Sequence, residues 1–173
     1  MKIDKINIHP YEIPFVKNYI SSKLNISLRK GWIIELHSAG FIGYGDACPL
    51  EGFSDESYSQ AGYGLEGFKL ALSHGEDVDL DELLSLSQAH GESQPSVGFS
   101  IESAVYDLVS KLNDIPLYRY LNSNAYESVR VSLYPDSSEE PFDGMVVKVK
   151  IDSTNIFDQI DKVKSITDQF QGL

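Results

Sequence analysis

The chain has 173 residues, with 14 Lys and Arg against 26 Asp and Glu, a formal charge of -12. Its 42% apolar fraction, with 10 Tyr and 8 Phe, suffices for a packed core, and 23% charged residues is well short of what keeps a chain unfolded. An acidic balance without any Lys/Arg-rich run argues against wrapping nucleic acid or an anionic membrane surface, since both need basic patches.

No stretch approaches the roughly 20 apolar residues of a membrane span, and Met1 to Ile8 is too polar for an export signal. The one cysteine, Cys48, has no internal disulfide partner, so packing alone must hold the fold. A reducing, cytoplasmic setting is expected.

Residues 2 to 46 read as β. Ile6 and Ile8 keep period two, as do Ile26 and Leu28, and the run Trp32 to Leu36 follows. Lys30-Gly31 and Ala39-Gly40 stand between such runs as turns would, which predicts an antiparallel meander of three or four strands. From Ser54 the pattern becomes helical, with Ser54 as the expected N-cap and Leu65, Phe68, Ala71 and Leu72 on one stripe of a helix over 55–73. A shorter helix is expected over 79–90. Val97, Ile101, Ala104, Val105, Leu108, Val109 and Leu112 give the clearest helical spacing, stopped before Pro116.

The period then returns to two at Val129, Val131 and Leu133, and again at Val147, Val149 and Ile151. A helix opened by Asp152 or Ser153 and closed by Gly172 follows. The fold class expected is therefore α+β: an antiparallel β-meander with helices, then the first elements of an alternating βα array, with the boundary in the polar stretch Asn122 to Glu127. A complete (β/α)₈ barrel takes about 250 residues, so the second part can be only the start of one.

Gly62, Gly64 and Gly67 match the dinucleotide fingerprint letter for letter. A polar stretch that begins like a helix precedes them, where that loop needs a buried strand, so close helix packing is the better account. Asp77, Asp79 and Asp81 lack the glycine of a calcium loop and fit an acidic first helical turn. His9, His37, His74 and His90 are too scattered for a zinc site. Cys48, with no nucleophile signature around it, is expected to be a buried structural thiol.

Val146 to Ile151 carries a different signal. On a strand, Lys148 and Lys150 share one face about 7 Å apart, and each ammonium disfavours the other's protonation. A lysine tuned in this way can accept a proton at neutral pH, whereas solvated edge lysines would have the same spacing.

Three stretches together resemble the enolase superfamily, in the form typical of o-succinylbenzoate synthases. They are Gly43 to Ser54, Pro95 to Leu108, and the K-x-K of Lys148-Val149-Lys150. The resemblance implies a capping domain over 1–122 and a partial barrel over 123–173. It implies Lys150 as the base that removes the proton α to a carboxylate and Lys148 as its electrostatic partner. Phe15 to Lys23 and Leu50 to Ser54 would shield the substrate, with Phe53 and Ser54 in contact with it.

The chemistry implied is loss of water from a cyclohexadiene carboxylate on the route to menaquinone, with magnesium stabilising the enediolate. The family's metal ligands lie on later barrel strands. This chain by itself is accordingly expected to bind no metal, to be inactive, and to have an incomplete barrel open to self-association. Muconate cycloisomerases, N-acylamino acid racemases and dipeptide epimerases share the proton abstraction and are the alternatives within the superfamily. A non-catalytic α+β interaction domain is the alternative outside it. Pro135 to Met145 is short for a crossover helix between the first two barrel strands.

Overall fold

Period-two burial of Ile6 with Ile34 and Leu36 sets the inner face of a three-stranded antiparallel sheet, ordered β1 (Lys5–Ile20), β2 (Asn25–Ser38), β3 (Phe41–Ala47). The computed structural model describes residues 1–20, 24–72, 77–133, 146–149, 151 and 155–170. Three helices follow the sheet: α1 (Tyr58–Ala71), α2 (Leu80–Gly91) and α3 (Pro95–Leu112), then the single turn α4 (Leu117–Leu121). Leu65 and Phe68 of α1, Leu83 of α2, and Val97, Ile101, Val105 and Leu108 of α3 close the core on the sheet.

The meander expected from the sequence is present, but one of its turns is not. Lys30-Gly31 lies inside β2, with Glu12 opposite Lys30 and Tyr11 opposite Gly31. The glycine leaves room there for a side chain from the neighbouring strand. A Cβ on Gly31 would stand 2.4 Å from the Tyr11 hydroxyl, because that side chain folds across the glycine. The β1–β2 ladder runs past it to Ile20 opposite Asn25, whereas Ala39-Gly40 does turn β2 into β3, both residues having positive φ.

α3 packs on β3 backbone to backbone. A Cβ on Gly43 would come 2.1 Å from the Ala104 carbonyl oxygen, and one on Gly45 would come 1.8 Å from that of Ser100. Ser100, Ala104 and Leu108 form one i, i+4 row, so a whole helix ridge rests in the groove the glycines leave. The outer edge of β3 is covered by the same helix. Asp107 accepts from the Tyr44 N–H at 2.9 Å, and Lys111 donates to the Ile42 carbonyl at 2.7 Å while pairing with Asp107 at 2.7 Å. Those bonds occupy strand-edge groups that could otherwise recruit another chain.

Helix starts follow local chemistry, with one correction. α1 is capped by Ser57 rather than Ser54: the Gln60 N–H donates to Ser57 Oγ at 3.3 Å and the Ser57 N–H to Gln60 Oε1 at 2.8 Å. This reciprocal box outcompetes a lone serine three residues earlier. Asp79 caps α2 by accepting from the Glu82 N–H at 2.8 Å. α3 has no local side-chain cap, and Glu56, almost fully buried, supplies one from a distance by accepting from the Ser96 N–H at 2.7 Å. Gly62, of the dinucleotide-like spacing, lies on α1 against the Trp32 indole, a packing role. In the predicted stripe of α1, Leu65, Phe68 and Leu72 are buried, but Ala71 is exposed.

The chain divides into two units, Met1–Ala125 and Tyr126–Leu173. In the second, β4 (Ser132–Leu133) and β5 (Val146–Val147) pair in parallel, and α5 (Ile156–Phe170) follows. The parallel pairing of the two strands and the helix after the second agree with the start of a βα array. Asp152, Ser153 and Gly172, the expected helix boundaries, and the Pro135 to Met145 stretch lie outside the described residues.

The open face of the three-stranded sheet carries a polar knot. Glu35 Oε2 accepts from Asn7 Nδ2 at 2.7 Å and lies 2.9 Å from His37 Nε2 and 3.5 Å from His9 Nε2. The hydrogen bonds from Asn7 and His37 hold the carboxyl down at about 2, against an ordinary 4.5.

Two measurements test these features. Gly45→Ala should lower stability by at least about 3 kcal/mol in chemical denaturation, because the Ser100 carbonyl cannot yield without moving the helix. Glu35 has a depressed folded pKa, so its contribution is present above the unfolded value and is lost as pH falls through the folded one. Glu35→Gln should therefore melt below wild type at neutral pH, with the gap closing between 4.5 and about 2. A gap independent of pH would show that the carboxylate charge contributes nothing.

Candidate functional site

Beyond Pro10 and Trp32, β1 and β2 continue as a two-stranded arm with no third strand beside it among the described residues, because β3 pairs with β2 only as far as Trp32. The arm carries exposed apolar side chains, Ile13, Val16 and Leu28, and a stacked pair, Phe15 and Tyr19, with ring centroids 6.1 Å apart. A turn lies against its end. Phe53 and Ser54 both donate their N–H to the Leu50 carbonyl, at 2.9 and 2.8 Å, and the Leu50 N–H donates to Ser54 Oγ at 2.9 Å. Gly52 enters this turn at φ +80, and a Cβ there would sit 3.2 Å from Leu24 Cδ2.

Residues 25–30 of the arm, 49–52 of the turn and 54–60 leading into α1 enclose an open cleft of about 660 Å³. Its floor holds Glu56, which stays ionised: burial pushes its carboxyl up, but the Ser96 hydrogen bonds outweigh this and leave it below the usual value. Lys30 and Glu12 form an ion pair on the arm, and that bond keeps the ammonium above its ordinary pKa. Tyr11 donates to Asp46 at 2.9 Å and stands 2.8 Å from Cys48 Sγ. Burial, then the Cys48 and Asp46 hydrogen bonds, push its phenol well up, so it remains a donor.

The sequence-predicted residues separate into two groups. Phe53 and Ser54 come together in the turn: Phe53 is exposed at 59%, and Ser54 lines the cleft while its hydroxyl braces the turn. Lys148 belongs to the second unit, exposed just past β5. Lys150 lies outside the described residues, as do 21–23 of the expected shielding segment. Cys48 is only half-buried, and its thiol donates to the Lys30 carbonyl at 3.3 Å, so it serves as a tie between strands rather than as core. Sequence reasoning missed Arg29, whose guanidinium donates to the Cys48 and Pro49 carbonyls. A cation two residues before a glycine in a strand carries no signal of that reach.

Among the described residues, no group of three or more His, Cys, Asp or Glu is placed to hold a metal ion, so the donor set for magnesium is not met there. No described helix is long and apolar enough to cross a membrane. The arm and the turn expose apolar and aromatic side chains, Ile13, Val16, Leu28 and Phe53, beside a cleft whose lining is mostly polar, Arg29, Lys30 and Glu56 among it. A surface of this mixed kind can contact a small ligand that carries both apolar and charged groups.

Comparison with known proteins gives a consistent picture. The o-succinylbenzoate synthase of Vibrio cholerae serotype O1 (strain M66-2) is 25% identical over 164 residues, spanning 84% of this chain and 45% of that protein. The cis-3-hydroxy-L-proline dehydratase of Roseibium aggregatum is 27% identical over 154 residues, 87% of this chain and 41% of that protein. Among solved structures, the dipeptide epimerase from Methylococcus capsulatus, complexed with Mg and dipeptide L-Arg-D-Lys, superposes with a TM-score of 0.71 at 20% identity. It covers 96% of this chain and 43% of its own. The chain thus spans less than half the length of the curated relatives it matches. The sequence profile described as "MenC, N-terminal domain" matches residues 3–108, most of the first unit, and on that match the chain belongs to this family, the N-terminal capping domain of the enolase superfamily.

Proposed function

We propose that residues 1–122 are the capping domain, and 123–173 the first barrel elements, of an o-succinylbenzoate synthase-like dehydratase. The observation that carries this reading is the family match over residues 3–108, joined to the arm that carries the stacked Phe15 and Tyr19 and the turn that exposes Phe53. In this reading the cap excludes water from a cyclohexadiene carboxylate while Phe53 packs on its ring and Ser54 holds the turn in place. Lys150 takes the proton α to the carboxylate and returns it to the departing hydroxyl, making water. The Lys148 ammonium keeps its neighbour's pKa within reach of neutrality.

In the whole enzyme, magnesium would supply positive charge beside the substrate carboxylate. The described residues hold no group of three or more His, Cys, Asp or Glu that would bind it. A cytoplasmic setting, menaquinone synthesis as the pathway and self-association through the second unit belong to the same reading. The Roseibium dehydratase match supports a second one, in which the cap serves another carboxylate substrate of the superfamily.

A domain exchange separates these readings. Residues 1–122 placed on the barrel of the Vibrio cholerae synthase should support dehydration of the cyclohexadiene substrate, with Phe53→Ala lowering kcat/KM by about tenfold. Turnover of acylamino acids, dipeptides or hydroxyproline instead, with none of the cyclohexadiene, would replace the proposal with a rival. The purified 173-residue chain should show no dehydratase activity. Magnesium-dependent turnover by it, lost on Lys150→Ala, would overturn the account of that chain as a cap without a complete site.

A further inference from the structure

The Leu50–Ser54 turn has no strand ladder to hold it. β3 pairs with β2 as far as Ala47 opposite Trp32, and Pro49 lacks the N–H that could carry the ladder on toward Lys30 and Arg29. Side chains take over from there. Arg29 Nη1 donates to the Pro49 carbonyl at 3.1 Å and Nη2 to the Cys48 carbonyl, while the Cys48 thiol donates back to the Lys30 carbonyl at 3.3 Å. A planar guanidinium grips two successive carbonyls at once, which a single ammonium cannot. Those carbonyls belong to the residues that lead into the turn, and Arg29 itself is fixed on the arm opposite Ile13.

We propose that Arg29 is a positioning residue: through the Cys48 and Pro49 backbone it sets where the Leu50–Ser54 turn, and with it Phe53, stands relative to the arm. The importance of Phe53 rests on the function proposed above, whereas the geometry does not. The two ends of the turn are then fixed by different elements, Arg29 of β2 at its entry and Glu56, bonded to the first turn of α3, just past its exit.

Amide hydrogen exchange on the full 173-residue chain tests this. Arg29→Ala should speed exchange at Phe53 and Ser54 by about tenfold or more, with Leu65 inside α1 unchanged. Millimolar guanidinium should restore protection in that variant where sodium chloride does not, and Arg29→Lys should stay fast. Wild-type exchange at Phe53 and Ser54 in Arg29→Ala, uniform acceleration that includes Leu65, or no rescue by guanidinium would each overturn the proposal. Should Arg29→Ala fail to fold, Arg29→Lys takes its place: selective acceleration supports the role and unchanged exchange overturns it. These outcomes do not depend on the substrate, so failure of the dehydratase reading and failure of the positioning role are separately visible.

Discussion

The contact of α3 with the backbone of β3 at Gly43 and Gly45 is the constraint on which the first unit depends. Two glycines two residues apart on the inner face of an edge strand let the helix carbonyls of Ser100 and Ala104 reach the sheet itself. At that separation the polar groups of both elements need partners. Asp107 and Lys111, projecting from the same helix, supply them to Tyr44 and Ile42. One approach therefore closes the core, fixes the position of α3 along the sheet and covers an edge. The other helices follow from it: α2 meets α3 where Gly91 and Gly98 touch and Ser87 donates to the Gly98 carbonyl at 2.9 Å, and α1 lays Gly62 on Trp32.

That tight region stops short of the end of the sheet. From Tyr11 and Gly31 outward the hairpin loses its third strand, its helix cover and its buried side chains together, and becomes an arm with apolar groups in solvent. Backbone pairing gives way to side-chain ties at the same place. Tyr11 crosses Gly31 to reach Asp46, Cys48 holds Lys30, and Arg29 holds Cys48 and Pro49. An arrangement of this kind keeps an exposed contact surface in place without burying it. Exposed apolar groups on an otherwise polar, acidic unit are what burial alone would have removed.

Charge is handled differently inside the unit and on its surface. Glu56 is carried into the interior, where its Oε1 accepts from the Ser96 N–H and caps a helix that has no cap of its own. On the open sheet face, Glu35 collects Asn7, His37 and His9 around a single oxygen. The unit thus spends carboxylates on fixing backbone and cross-strand geometry. Among the described residues, no three or more His, Cys, Asp or Glu are grouped to hold a metal ion.

The sequence by itself determined the order of the elements, the meander, the three helices and the shift to a βα pattern, since burial periodicity and proline stops are local properties. It also carried the resemblance that the family match over residues 3–108 supports. It misread Lys30-Gly31 as a turn and Ser54 as a helix cap, because each depends on a partner the local pattern does not contain. Gly31 serves a tyrosine 20 positions earlier in the chain, and Ser54 serves the turn while Ser57 finds Gln60. The ties of Arg29 were illegible for the same reason. Only tertiary structure decides which carbonyls a long cation reaches, because hydrogen-bond geometry is set by strands brought side by side and leaves no period in the chain.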